Sequence, residues 1–185
     1  MDNTYIVSVF EDVLSGRRRS FPRYIWEDET NCIYALRYLI EEKLKWSRED
    51  VCAGFGYTTF EYYKLCGMLN MSYQGSPFKA LNSAYPGEYK QWELGSVPNN
   101  FWNEENSIRA LKWLIEEKLK WSEEEVRRYL TQKVLRDNRI FGVVGRCFKG
   151  DMFAAVNAAY PGVYKAEDFN PKHRVRTRSH QHATA

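Results

Sequence analysis

The sequence predicts an all-α protein: two tandem homologous four-helix repeats with helix-turn-helix-like corners, preceded by a short N-terminal helix and followed by a basic C-terminal tail. Three observations predict it. The phrase Glu-Glu-Lys-Leu-Lys-Trp-Ser occurs at 41–47 and again at 116–122. A second phrase, Asn-x-Ala-Tyr-Pro-Gly, ends at Gly87 and again at Gly162. Both recur at the same offset (116 − 41 = 75 and 162 − 87 = 75), so 31–94 lies on 106–169 without a gap. A fixed offset of this kind marks an internal duplication. Within each copy, apolar residues recur at three- and four-residue steps, the period of a helix with one buried face.

Taken in order, residues 4–14 carry Tyr5, Ile6, Val9, Phe10, Val13 and Leu14, which suits a short helix that Gly16 ends. Arg17, Arg18 and Arg19 follow as a basic arm, so 1–20 reads as an N-terminal helix plus arm. Repeat 1 is set at 21–95 and repeat 2 at 96–170, opened by Phe21-Pro22 and Val97-Pro98. The first helix of each repeat spans about 30–45 and 105–120; Ile33, Leu36, Ile40 and Leu44 match Ile108, Leu111, Ile115 and Leu119. The second helix has a clear start. Ser47 precedes Asp50, and Ser122 precedes Glu125, by three residues. A hydroxyl there accepts from the free N–H at N3 while the carboxylate reaches back, and the acidic first turn suits the helix dipole. This helix is expected to run to about Asp137 in repeat 2, and to be shorter or broken in repeat 1 at Gly54 and Gly56. Two short helices follow in repeat 2, about 140–148 and 152–160, with Gly150 between them and Gly75 at the same place in repeat 1. Glycine tolerates positive φ, which a tight corner between helices requires. Tyr-Pro-Gly stops the last helix, since proline cannot continue the ladder. Residues 171–185 hold almost nothing to bury and are expected to be a flexible basic tail.

The bulk numbers allow a folded core and exclude several function classes. With 44% hydrophobic and 16% aromatic residues, disorder is not expected. The cysteines Cys32, Cys52, Cys66 and Cys147 form no Cys-x-x-Cys pair and do not recur between the copies, unlike a zinc ribbon or a disulfide framework. They fit reduced cytosolic thiols. No signal peptide and no long apolar run is visible, so a cytoplasmic protein without a membrane partner is expected. His173, His180 and His182 all lie in the tail, and neither a Walker loop nor GxGxxG is present. A nucleophile–histidine site needs a fixed base. No enzyme activity, cofactor or metal is expected. Glu41-Glu42 and Glu116-Glu117 are the wet faces of helices, beside Lys43 and Lys118.

The charge distribution says more than the net charge of +3. From 127 to 149 the second repeat carries Arg127, Arg128, Lys133, Arg136, Arg139, Arg146 and Lys149, opposed only by Asp137. The matching span of the first repeat, 52–74, carries only Lys64 and Glu61. Duplicates that share a core but diverge in charge have divided their labour. Lysine and arginine on a polyanion gain free energy by counterion release. The expected function is therefore non-catalytic nucleic-acid binding in a regulatory or accessory role. Arg17, Arg18 and Arg19 in the arm, and Lys172, Arg174, Arg176 and Arg178 in the tail, would add phosphate contacts along a groove. If the last helix of repeat 2 enters a groove, Asp151, Met152 and Asn157 are its candidates for base edges. The alternative is a protein-binding or homodimerising module that uses the aromatic run Phe55, Tyr57, Phe60, Tyr62 and Tyr63 of repeat 1.

Around Tyr73-Gln74-Gly75-Ser76 with Ala80-Leu81, and Phe148-Lys149-Gly150-Asp151 with Ala155-Val156, the chain resembles the homing-endonuclease-associated repeat. That family's aromatic-Gly-Ser turn precedes an Ala-Leu-x-x-Ala helix, and the resemblance implies a small DNA-binding helical module, favouring DNA over RNA. It covers about twenty residues per copy; one residue is inserted before the glycine, and Tyr-Pro-Gly replaces the family's closing glycine. No base-reading residue carries over. The complete unit also resembles a bacterial repeat family of unknown function.

Overall fold

A computed structural model describes residues 3–95 and 97–169. The chain divides into two compact units, Met1–Val97 and Pro98–Ala185. Among the described residues every regular element is helical.

Unit 1 opens with α1, Asn3–Leu14, whose buried face is Ile6, Val9, Phe10 and Val13. This helix belongs to the core of its unit. The Phe10 ring lies 5.5 Å from Phe21 and 5.4 Å from Tyr38, both edge-on. Edge-to-face aromatic pairs add to simple burial. The chain leaves α1 through Gly16 at φ +79. Glu11 fixes α1 from the polar side: it accepts from the Tyr38 hydroxyl at 2.6 Å and from Lys43 at 3.0 Å. The Tyr38 hydrogen bond holds the Glu11 carboxyl below its ordinary value. Burial, with the same bond, pushes the Tyr38 phenol up to about 12.

Helix α2 spans Glu29–Arg37 and widens into a π-helical segment, Tyr38–Leu44. Lys45 then turns left-handed at φ 51. Next come α3 (Arg48–Gly54), α4 (Tyr57–Tyr62), α5 (Cys66–Tyr73) and α6 (Pro77–Ala84). Large side chains from each helix meet in one core, among them Leu36, Leu39, Phe60, Met68, Leu69 and Leu81. Each contributes roughly 1.5–3 kcal/mol on burial.

Unit 2 repeats the plan. Helix α7 spans Glu104–Lys112 and widens to π over Trp113–Lys118; Lys120 turns left-handed at φ 53. Then follow α8 (Glu123–Tyr129), α9 (Gln132–Asp137), a π-helical segment Val143–Cys147 and α10 (Met152–Ala159). Both predicted capping boxes form: Ser47 with Asp50, and Ser122 with Glu125. A π-widening at the same place in both copies belongs to the shared scaffold, although π-helix is rare in general.

One expectation needs correcting. The second helix does not run to Asp137; it is broken in both copies, so each repeat has five helical segments where the periodicity gives four. Glycine is not the common cause. Phe55 and Leu130 take extended backbone and plug into the core, at 2% and 0% exposure. A new cap follows: Thr131 accepts from the Val134 N–H at 3.2 Å. Burying an apolar side chain at the kink offsets the helical hydrogen bonds it interrupts, one of which the Thr131 cap replaces.

The closing Tyr-Pro-Gly turn is built alike in both units. Asn82 accepts from the Gly87 N–H and Asn157 from the Gly162 N–H, each at 3.1 Å, and both glycines sit at φ +77. Tyr85 donates to Glu41 at 2.7 Å and Tyr160 to Glu116 at 2.8 Å. Burial comes first among the causes that raise both phenols well above their ordinary value.

Candidate nucleic-acid interface

The basic span of unit 2 lies on α8, α9 and the corner leading to α10. Ser122 starts α8, Leu130 breaks it and Thr131 starts α9. Leu135 faces the core, which leaves Lys133, Arg136 and Asp137 on the wet side of α9.

Gln132 ties this helix to the corner. Its amide N–H donates to the Gly150 carbonyl at 3.3 Å, and its oxygen accepts from Arg136 Nη2 at 3.2 Å. Arg136 and the Lys149–Gly150 turn are thereby gathered on one corner. Lys149 and Gly150 both have positive φ, 51 and 87. The equivalent of Gln132 in unit 1 is Tyr57, which stands half exposed and carries no such tie.

The seven cations of the span have different fates. Arg127 is committed inside its unit. It donates to Glu123 at 3.2 Å and to the Val163 carbonyl at 3.1 Å, lies 3.6 Å from Asp168, and rides over the Tyr164 ring at 5.1 Å. Burial raises the Tyr164 phenol, and Arg127 partly offsets this. Lys133 pairs with Asp137 at 2.6 Å across one helical turn, with its side chain 80% exposed. A pair so exposed is worth well under 1 kcal/mol and yields readily to another anion, about 0.3–0.5 kcal/mol. Arg146 donates to the Asn99 carbonyl. Arg139 is exposed in the left-handed turn after α9, at φ 61. Arg128 is exposed beside the Tyr129 ring, at 5.4 Å from its centroid, and Arg136 lies 4.3 Å from the centroid of Phe141.

The other sequence candidates fare differently. Arg17 pairs with Asp12 at 2.7 Å, and Arg18 and Arg19 are exposed; all three belong to unit 1. Lys172, Arg174, Arg176 and Arg178 lie outside the described residues. Asn157 uses its oxygen to close the Tyr-Pro-Gly turn, the role Asn82 has in unit 1. Asp151 is the N-cap of α10 and accepts from Ala154 at 3.0 Å. Along α10 no residue is fully exposed, Met152 and Asn157 included. In α10, Ala155, Val156 and Ala159 are buried and the other residues half-buried, whereas α9 carries the exposed Lys133 and Arg136.

Sequence reasoning passed over three residues. Gln132, Tyr129 and Phe141 carry no charge, yet they position Arg136 and Arg128. The spacing of Gln132 and Arg136, four apart on one helix, was the available signal. In unit 1, Phe55 and Phe60 of the aromatic run are core, at 2% and 1% exposure, whereas Tyr57 and Tyr62 stand out at 51% and 77%. No helix among the described residues is long and apolar enough to cross a membrane.

A family model described as protein of unknown function (DUF4046) matches the chain twice, over residues 6–90 and 89–165. No curated protein matches the chain, and no solved structure does.

Proposed function

The chain belongs to the DUF4046 family as a tandem pair of its units, and from that premise we propose that it is a cytoplasmic nucleic-acid-binding protein without catalytic activity. Duplex DNA is the form we favour, in a regulatory or accessory role. One observation carries the proposal: on a shared scaffold, only the second unit has a basic corner, where Arg136 and Lys149 stand exposed, with Arg128 exposed on the preceding α8, all three without a carboxylate partner among the described residues. The likeness of the Phe148-Lys149-Gly150-Asp151 turn to the homing-endonuclease-associated repeat supports DNA over RNA. Because the residues of α10 are at most half-exposed while Arg128, Arg136 and Lys149 stand exposed, we assign the contact to the phosphate backbone, with little direct reading of bases. Arg127 and Asn157 are left out of the contact set.

The test is binding of labelled duplex DNA, single-stranded DNA and RNA at two salt concentrations. With a slope of about −0.9 per phosphate neutralised, three contacts make a fourfold rise in salt weaken binding roughly 40-fold. Replacing Arg128, Arg136 and Lys149 together by Glu is expected to abolish binding. Unchanged binding by that variant would end the proposal.

A second reading rests on unit 1. Tyr57 and Tyr62 on α4 and Met71 on α5 are exposed, and such residues suit a protein partner or a second copy of the chain. Binding through that surface would change little with salt, which separates it from the first reading.

A further inference from the structure

Two exposed arginines of unit 2 are mounted on aromatic rings: Arg128 at 5.4 Å from Tyr129 and Arg136 at 4.3 Å from Phe141. At the matching positions unit 1 has Ala53 with Gly54, and Glu61 with Cys66. Both members of both pairs differ between the copies, so each cation comes together with its ring. A surface that needed only positive charge would not require the rings. A ring beneath a guanidinium restrains its plane and turns the N–H edge outward.

Donor accounting points the same way. A guanidinium carries five N–H donors. Arg136 commits one, to Gln132 at 3.2 Å, and Gln132 is itself anchored on Gly150. Arg128 makes no hydrogen bond among the described residues. Arg127 provides the contrast inside the same span. It also rides a ring, but its donors go to Glu123 and Val163, with Asp168 close by. Ring mounting alone is thus compatible with a purely internal role, and free donors distinguish the other two.

We propose that Arg128 and Arg136 are phosphate forks: each presents a ring-held guanidinium edge that grips two oxygens of a phosphodiester, so the ligand is recognised by arginine geometry as well as by charge. This rests on the nucleic-acid reading above. Lysine keeps the charge but is a point donor that cannot make the bidentate contact.

The experiment compares the full chain with Arg128→Lys/Arg136→Lys, using fluorescence anisotropy on labelled duplex DNA, duplex RNA and single-stranded DNA across a salt series. Circular dichroism melts check that the variant folds; both side chains are exposed, so it should. The expected result is a Kd at least fivefold higher for the double variant at every salt concentration, with the slope of log K against log salt unchanged. Arg127→Lys, the internal control, is expected to leave Kd within twofold. A rise of less than fivefold for the double variant, or a rise in Kd just as large for Arg127→Lys, overturns the fork assignment and leaves general electrostatic binding standing. If the wild-type chain binds none of the three probes, the nucleic-acid reading itself fails, and this one with it. Preference among the three probes identifies which backbone the forks fit.

Discussion

In unit 1 the cation that clasps the second tyrosine of the closing turn is Arg48; in unit 2 it is Arg127, one helical turn further along when the copies are aligned. Arg48 lies 5.2 Å from the Tyr89 ring and grips Glu93 at 2.8 and 2.9 Å. Arg127 lies 5.1 Å from the Tyr164 ring and faces Asp168, the counterpart of Glu93. Where unit 1 has Arg48, unit 2 has Glu123, and Arg127 bonds that glutamate too. The clasp is kept while the residue supplying it has moved. At this place the duplication preserves the contact and not the residue that makes it. A cation engaged in such a contact is scaffold, and a cation without one is a candidate for a partner.

The largest expected difference between the units lies at the matching glycines at the start of the fourth helical segment, Gly67 and Gly142. In unit 2 a Cβ on Gly142 would stand 2.6 Å from Cδ1 and 2.8 Å from Cε2 of Trp102. In unit 1 the matching Gly67 has nothing within 4 Å of such a Cβ. Gly142→Ala should therefore destabilise by about 1–3 kcal/mol through overpacking. Gly67→Ala, exposed in the first turn of α5, should stabilise by up to about 1 kcal/mol through helix propensity. Urea denaturation of both variants measures this; equal effects would mean that Trp102 is not wedged against the glycine.

The two clasps should also differ in strength. The Glu93 side chain is only 6% exposed, whereas Asp168 and Glu123 are 23% and 64% exposed. Arg48→Ala leaves a buried carboxylate without its cation and is expected to cost about 2 kcal/mol. Arg127→Ala leaves carboxylates that water can reach and should cost under about 1 kcal/mol. Thermal melts of the two variants decide it. A larger loss for Arg127→Ala would contradict the exposure difference, and a loss of nucleic-acid binding there would return Arg127 to the interface.

Much of the fold was legible because its signals are local. Ser47–Asp50 and Ser122–Glu125 announce helix starts by chemistry that acts within one turn, and the apolar face of α1 is plain in Ile6, Val9, Phe10 and Val13. The break after α8 was not legible. Leu130-Thr131 contains neither glycine nor proline, and the helix stops because Leu130 is drawn into a core that only the folded unit supplies. The site was legible as a region but not residue by residue. Arg127 and Arg128 are neighbours of identical chemistry, and only the positions of Glu123, Val163 and Tyr164 separate the engaged one from the exposed one. Asn157 looked free for the same reason: its partner, Gly162, is brought to it by the turn.

The smallest expected effect tests the contact-preservation idea most directly. The cysteines do not recur between copies as residues, but two of them recur as a contact. In unit 1, Cys32 Sγ lies 3.5 Å from Ser72 Oγ; in unit 2, Ser107 Oγ donates to Cys147 Sγ at 3.3 Å. Positions 32 and 107 are equivalent, as are 72 and 147, so sulfur and oxygen have changed places across one interaction. In unit 1 burial pushes the Cys32 thiol up, so the thiol form is the one that packs there. If the contact matters and its polarity does not, Cys147→Ser alone should cost about 0.5–1 kcal/mol by shrinking one partner, and adding Ser107→Cys should restore most of it. The cycle is read by urea denaturation under reducing conditions, with Ser107→Cys as the remaining corner. Additive losses would mean that the two sites drifted independently and that their present pairing is a coincidence of two small polar residues. A coupling of half a kilocalorie or more, about 0.5–1 kcal/mol, would mean that the copies diverged by compensated exchange, as the displaced arginine clasp already implies.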